Sequence, residues 1–247
     1  MSKAFKIIIS GGGTGGHIFP AIAIANQIKA QYPLAQIRFV GALGRMEMER
    51  VPAAGYDIIG LPVAGLQRRA LHKNVTLPYK LWKSLRHAKK IIKDFQPQVV
   101  VGVGGYASGP ILWMAGRNKV PCLIQEQNSY AGVTNKLLAK RVQTVCAAYE
   151  GMERFFPKEK IRMTGNPVRD TIVPVTESLK AQGRALFGIG PERSSILIVG
   201  GSLGARTLND CVQAFITAHP DESPVDIIWQ CGGYYREQNE LTLRTKF

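Results

Sequence analysis

Three times along this chain a short apolar run empties into a glycine turn: IIISGGGTGGH at 7–17, VVVGVGGYASGP at 99–110 and ILIVGGSLGAR at 196–206. A continuous apolar run that stops at glycine is the pattern of a strand buried on both faces, and the residues after each turn suit a helix. Residues 6–10 predict a strand, 18–31 a helix rich in Ala and Ile, and 37–42 a second strand. GYDIIGLPV supplies a third extended segment, and Leu77, Leu81, Leu85, Ala88, Ile92 and Phe95 recur at helical spacing before the second glycine motif. A helix around Trp113, the strand PCLIQEQN, a helix over about 134–140 and the strand TVCAA follow, and then a short excursion to RMTGNPVR. Past Gly165-Asn166-Pro167 the pattern resets, with helices over 177–187 and 205–217 and strands before the third glycine turn and in VDIIWQCGG. Strand and helix alternate throughout, which predicts an α/β fold of parallel sheets with right-handed crossovers. The glycine motifs are too far apart for a solenoid, whose repeats recur every ~20–50 residues.

The reset divides the chain into a domain over 1–164 and a second over 165–247. The second is shorter than the ~100–150 residues typical of a domain, so the sequence is expected to be a piece of a longer chain. No stretch approaches the ~18 apolar residues of a membrane span, and the start carries no apolar signal region, so a cytoplasmic compartment is expected. Cys122, Cys146, Cys211 and Cys231 have neither CxxC pairing nor metal-ligand spacing and read as buried thiols.

Charge changes this picture. The net charge is +15, and it is concentrated: between Ile58 and Lys93 there is no Asp or Glu, against nine Lys and Arg. Nucleic acid and an anionic membrane are the two physical candidates for a partner. On the helix from Leu77 to Phe95, Trp82 falls off the apolar stripe and shares the outer face with Lys83, Arg86, Lys89, Lys90 and Lys93. That arrangement suits the headgroup zone of a bilayer. A nucleic-acid binder would show aromatic stacking platforms or a recognition helix, and neither is present.

The glycine turns carry the candidate chemistry. Each places bare N–H groups at a helix start, where they attract phosphate. Gly11, Gly13 and Gly16 satisfy GxGxxG, yet the second strand ends Gly41-Ala42-Leu43-Gly44-Arg45, without the acidic residue a dinucleotide site needs. No Gly-Lys-Ser/Thr and no Asp-x-Asp pair occurs, so neither a Walker loop nor a diphosphate-bound metal is expected. Charge on a leaving phosphate must then be met by amides, helix ends and Arg or Lys.

GGGTGGHIFPAIAIA, VGGYASGP, EQNSYAGVTNKLLAK, TGNPVR and GGSLGAR resemble, in order and spacing, the MurG family. The resemblance spans essentially the whole chain. It implies the GT-B fold, two Rossmann-like domains of which the second is incomplete here. It also implies metal-independent, inverting transfer of N-acetylglucosamine from UDP-N-acetylglucosamine to the muramyl 4-hydroxyl of undecaprenyl-pyrophosphoryl-N-acetylmuramyl-pentapeptide (lipid I). The product is lipid II of peptidoglycan synthesis, on which cell shape and division depend. No cofactor is implied. The partners are the nucleotide sugar, the lipid acceptor and the anionic cytoplasmic face of the bacterial inner membrane, which a substrate on a lipid tether requires. An epimerase or a natural-product glycosyltransferase of the same fold fits the second glycine turn and the EQN segment less well.

The resemblance assigns Thr14, Gly15, Gly16, Asn128, Arg169 and Ser202 to the donor, with the remaining donor contacts beyond Phe247, and Tyr106 and Ser108 to the acceptor. His17 is a candidate for the base, since a helix N-terminus keeps an imidazole neutral and able to accept a proton; it could equally cap the helix and orient the loop. Glu126 competes for that role, with hydrogen bonding to loop amides as its alternative. Trp82, Lys83, Arg86, Lys89 and Lys90 are the membrane-facing set, with Trp113 a second contact.

Overall fold

In the computed structural model, residues 5–63, 75–201, 204–219 and 223–244 are described. The chain divides into two compact units, Met1–Ile172 and Val173–Phe247. The division lies later than the sequence suggested. Gly165–Arg169 stays with the first unit: Asn166 Nδ2 donates to Gln127 O at 3.2 Å, and the Arg169 guanidinium stacks 4.8 Å from the Phe19 ring centroid.

The first unit contains β1 (Lys6–Ser10), α1 (Gly15–Gln31), β2 (Gln36–Ala42), α2 (Glu47–Ala53), β3 (Asp57–Leu61) and α3 (Leu77–Phe95). It continues with β4 (Val99–Gly102), α4 (Ser108–Arg117), β5 (Cys122–Glu126), α5 (Val133–Leu138), β6 (Thr144–Ala147) and β7 (Ile161–Met163). All the strands are parallel in the order β3-β2-β1-β4-β5-β6-β7. Two of these elements were not anticipated. The charged residues around Glu47 hid the short helix α2, and β7, with only Ile161 partly covered, lacks the apolar run by which a buried strand is read.

Strand alternation sends Ile7 and Ile9 to one layer, with Ile18, Ala21, Ile22 and Ala25 of α1 and Val51 of α2. Ile8 faces the other layer, with Ala88, Ile91, Ile92 and Phe95 of α3 and Ile111, Leu112 and Ala115 of α4. Burying each such isoleucine contributes about 1.5–3 kcal/mol, so the sandwiched sheet is the rigid platform for the loops at its edge.

The apolar stripe of α3 differs from its expected form. Ala88, Ile91, Ile92 and Phe95 are buried, but Leu81 is 53% exposed, and in the first half of the helix only Ser84 is buried. Ser84 reaches that position by donating its hydroxyl to Lys80 O at 2.7 Å. Burial is thus concentrated in the second half of α3, while the first half leaves an apolar side chain uncovered.

The second unit contains α6 (Glu177–Leu186), β8 (Ser195–Val199), α7 (Arg206–Ala218), β9 (Asp226–Gln230) and α8 (Arg236–Arg244). β8 and β9 pair in parallel with Leu197 beside Ile228. Thr176 caps α6 through its hydroxyl, which accepts from Leu179 N at 3.2 Å. Asn209 joins α7 to the end of β9, accepting from Trp229 Nε1 and donating to Cys231 O, each at 3.1 Å.

The four cysteines are free; Cys122 is buried, Cys146 and Cys231 are half-buried, and Cys211 is exposed, so the expectation of buried thiols holds fully at Cys122 alone. Among the described residues no helix is long and apolar enough to cross a membrane.

Candidate functional site

The strand order reverses between β1 and β4, and at such a point in an open parallel sheet the loops leave in opposite directions and open a crevice. Ser10 of β1 lies beside Gly102 of β4, and Val103 N donates to Ser10 O at 2.8 Å, so the first two glycine turns emerge side by side. They touch backbone to backbone: a Cβ on Gly105 would collide with the main chain of Gly12. Only glycine permits this approach, and Gly105 also has φ +84°.

A cavity of about 380 Å³ opens there, lined by Gly13, Thr14, His17, Arg45, Tyr106 and Thr134 among others. Thr14 stands just before α1 with its side chain uncommitted to capping, and Gly15 and Gly16 form the first turn. Helix N-termini present unpaired amides and a positive dipole, so this wall of the cavity favours an anion. Tyr106 is 56% exposed at the mouth.

His17 is the third residue of α1, with its own amide bonded to Thr14 O at 3.1 Å. Its ring does not cap the helix; Nδ1 lies 3.0 Å from Gln127 Oε1. At the end of β5 and just beyond it, alternation separates three consecutive side chains. Glu126 points toward α5, fully buried, and its carboxylate accepts from Asn128 N (3.2 Å), Asn128 Nδ2 (3.0 Å), Gly132 N (2.9 Å) and Asn135 Nδ2 (2.9 Å). A carboxylate has about four acceptor sites, and all are taken, which leaves no lone pair for a proton from a substrate. Asn128, exposed, is held by its amide nitrogen with its carbonyl oxygen unclaimed by Glu126. Gln127 turns the opposite way, toward His17.

Ser108 does not face the cavity as expected. It is fully buried, and its hydroxyl donates to Gly105 O at 2.9 Å, so it shapes the second turn from behind. Arg169 is exposed and lies over Phe19, which places its guanidinium beside the first turn of α1. Ser202 lies outside the described residues; in the second unit Gly201 and Gly204 on either side of it have φ +79° and +80°.

Glu47 was missed from sequence. It is 1% exposed, and its two carboxylate oxygens accept from Gly13 N and Ala42 N, each at 2.8 Å. The available signal was an acid in the first turn after a strand ending in Gly41-Ala42. Gln127 was missed as well, because its neighbours Glu126 and Asn128 carried the motif.

Trp82, Lys83, Arg86, Lys89 and Lys90 all lie exposed on α3. Tyr79 stacks on Trp82 with centroids 6.1 Å apart, and Arg86 lies 4.8 Å over the Trp82 ring. With Leu81 and Val75 also exposed, the start of α3 presents apolar side chains ringed by cations. Trp113 is half-buried against the core under the Arg141 guanidinium, 3.7 Å away, so it is less available to a bilayer than Trp82. Among the described residues no three of His, Cys, Asp and Glu cluster as metal ligands.

Residues 7–147 match the glycosyltransferase family 28 N-terminal domain. The chain is 59% identical over 233 residues to the UDP-N-acetylglucosamine–N-acetylmuramyl-(pentapeptide) pyrophosphoryl-undecaprenol N-acetylglucosamine transferase of Parabacteroides distasonis, covering 94% of this chain and 63% of that protein. It is 58% identical over 240 residues to the protein of the same name from Bacteroides thetaiotaomicron, covering 96% and 64%. It therefore spans less than two thirds of the length of these relatives. Among solved structures, Acinetobacter baumannii MurG superposes with a TM-score of 0.69 at 28% identity, over 98% of this chain and 63% of that one. A Neisseria meningitidis UDP-GlcNAc 2-epimerase superposes at 0.60 and 16% identity, over 98% and 70%, a likeness of fold alone. The fold class is that of GT-B enzymes.

Proposed function

We propose that this chain, which belongs to the MurG family of glycosyltransferases, carries the acceptor side of an inverting transfer of N-acetylglucosamine from UDP-N-acetylglucosamine to the 4-hydroxyl of the muramyl sugar of lipid I. The observation that carries the reading is the convergence of His17, the amides at the start of α1 and Tyr106 on one cavity at the strand-order reversal. Family membership supports the choice of substrates, and the geometry supports the roles given to the residues.

His17 takes the proton of the acceptor hydroxyl, whose oxygen then bonds to the anomeric carbon from the face opposite the diphosphate. The bond to the UDP oxygen breaks, and its electron pair leaves with UDP. Thr14, Gly15 and Gly16 stabilise the charge through backbone amides and the helix dipole, and Arg169 adds a planar cation. Because these groups are fixed in place, they need no reorganisation as charge develops, and no metal is required. Asn128 offers its carbonyl oxygen to a donor hydroxyl, and Tyr106 flanks the acceptor. Glu126 acts as a positioning residue, holding Asn128 and the loop to Gly132 in place. Ser202, which lies outside the described residues, keeps the diphosphate role that the family resemblance assigns to it.

The cationic, apolar-tipped start of α3 docks the protein peripherally on the cytoplasmic face of the inner membrane. Each basic side chain near an anionic surface is worth about 1 kcal/mol, and Trp82 and Leu81 add apolar contact. The acceptor's lipid tether keeps it at that surface, so docking places cavity and substrate together. An epimerase reading is not favoured, since its support is fold-level. The test is transfer of labelled N-acetylglucosamine from its UDP derivative to lipid I by a chain of the relatives' full length that carries this sequence. Transfer to lipid I is expected, and hydrolysis or epimerisation without transfer would overturn the reading.

A further inference from the structure

A neutral imidazole can accept a proton at only one of its nitrogens, and the surroundings of His17 decide which. Gln127 Nε2 lies 2.9 Å from Val103 O, 3.3 Å from Gln125 O and 2.5 Å from Gln125 Oε1. Two of those oxygens are main-chain carbonyls, which can only accept and which no amide flip can exchange. The nitrogen of the Gln127 amide must therefore face them, since its oxygen there would meet carbonyl oxygens in a buried site. That leaves Oε1 turned to His17 Nδ1 at 3.0 Å. An amide oxygen also only accepts, so Nδ1 carries the hydrogen.

Packing agrees with this orientation. A Cβ built on Gly104 would fall 2.8 Å from His17 Cε1 and 2.9 Å from Nδ1, so the ring lies flush against the second glycine turn with no side chain between. Gln127 is buried, at 8% exposure, and Gln125 at 2%, so the glutamine end of the network is shielded from water, while the imidazole is half-buried.

We infer that Gln127 is a positioning residue that locks His17 as the Nδ1–H tautomer through a chain running from Val103 O and Gln125 to the imidazole, leaving the lone pair on Nε2. This rests on the reading of His17 as the base and adds what sets its state. A free neutral histidine prefers the hydrogen on Nε2, the form in which the outer nitrogen could not take a proton. Gln127 reverses that preference. When Nε2 accepts the hydroxyl proton, the imidazolium keeps its Nδ1–H bond to the same oxygen, so nothing rearranges during transfer.

The test is nitrogen-15 NMR of the imidazoles in this 247-residue chain, above the pH at which the ring titrates, with His17 identified by the signal lost in His17→Ala. The parent should show Nδ1 protonated and Nε2 bare in at least about tenfold excess, the ratio one hydrogen bond can impose. Gln127→Met, similar in length but without an acceptor, should return the ring to an Nε2–H majority. A parent dominated by Nε2–H, or an unchanged ratio in Gln127→Met, would overturn the inference. The measurement on the parent stands even where the variant does not fold. The expected tautomer together with a fully active His17→Ala in a chain of the relatives' full length that carries this sequence would remove the base reading while leaving the tautomer assignment intact.

Discussion

The carboxylate of Glu47 in α2 accepts the amide of Gly13 in the loop between β1 and α1 at 2.8 Å, and its other oxygen accepts Ala42 N at the same distance. One buried side chain thus ties the end of β2 to the first glycine turn, and it fills the space where a Cβ on Gly12 or Gly41 would have to go. Glu47→Gln puts an amide NH2 against one of those N–H donors. A loss of about 1–3 kcal/mol is expected, read as a lower urea midpoint with an unchanged slope. A midpoint equal to that of the parent would mean that the loop holds without this carboxylate.

His17→Ala in a chain of the relatives' full length that carries this sequence should reduce kcat by about 10²–10⁴, the usual contribution of a positioned base, with a much smaller change in substrate affinity. Full activity of the variant would exclude His17 from proton transfer.

Arg169 stacks on Phe19, and no acid among the described residues pairs with it, so its donors remain available to an anion. Arg169→Ala should weaken UDP-sugar binding by about tenfold or more, the cost of one charge-assisted hydrogen bond, when titrated calorimetrically. Phe19→Ala should weaken it less, by loosening the guanidinium. Unchanged affinity in Arg169→Ala would remove its phosphate role.

Reversing Lys83, Arg86 and Lys90 to Glu should release the protein from anionic vesicles. At about 1 kcal/mol per basic residue, partitioning falls at least about 100-fold, while neutral vesicles show little difference. Trp82→Ala should weaken binding at high salt as well, because its contribution is apolar. Sedimentation with phosphatidylglycerol vesicles separates the two effects, and persistent binding by the triple variant would place the docking surface elsewhere.

Burial pushes the Cys122 thiol up to about 11, so it holds its proton and is a poor nucleophile at pH 8. Cys211 is exposed. Alkylation followed by mass spectrometry should label Cys211 first and Cys122 only on unfolding. Early labelling of Cys122 would contradict its buried place on β5 against α4.

Much of the framework was legible along the chain. β1 and α3 fall where the apolar pattern put them, because the burial of a strand or helix face is written in its own side chains. The glycine turns and the place of His17 at a helix start were legible for a similar reason, since backbone freedom at a helix start is a local property. Ser108 and Leu81 were misread because a residue's type does not say which way it faces: Ser108 bonds its own turn, and Leu81 lies on a stretch of helix that the described residues do not cover.

Apart from α2, β7 and α8, the order and kind of the elements, the glycine turns at the ends of buried strands, the cationic face of α3 and the family were determined by the sequence alone. Each is encoded by residues close together along the chain. Only the tertiary structure decided that β1 and β4 are neighbours, that Glu47 holds a loop 34 residues away, and that Gln127 meets His17 across 110 residues. Those pairings depend on strand order and on which side chain fills which space, and periodicity in a one-dimensional pattern carries no information about either.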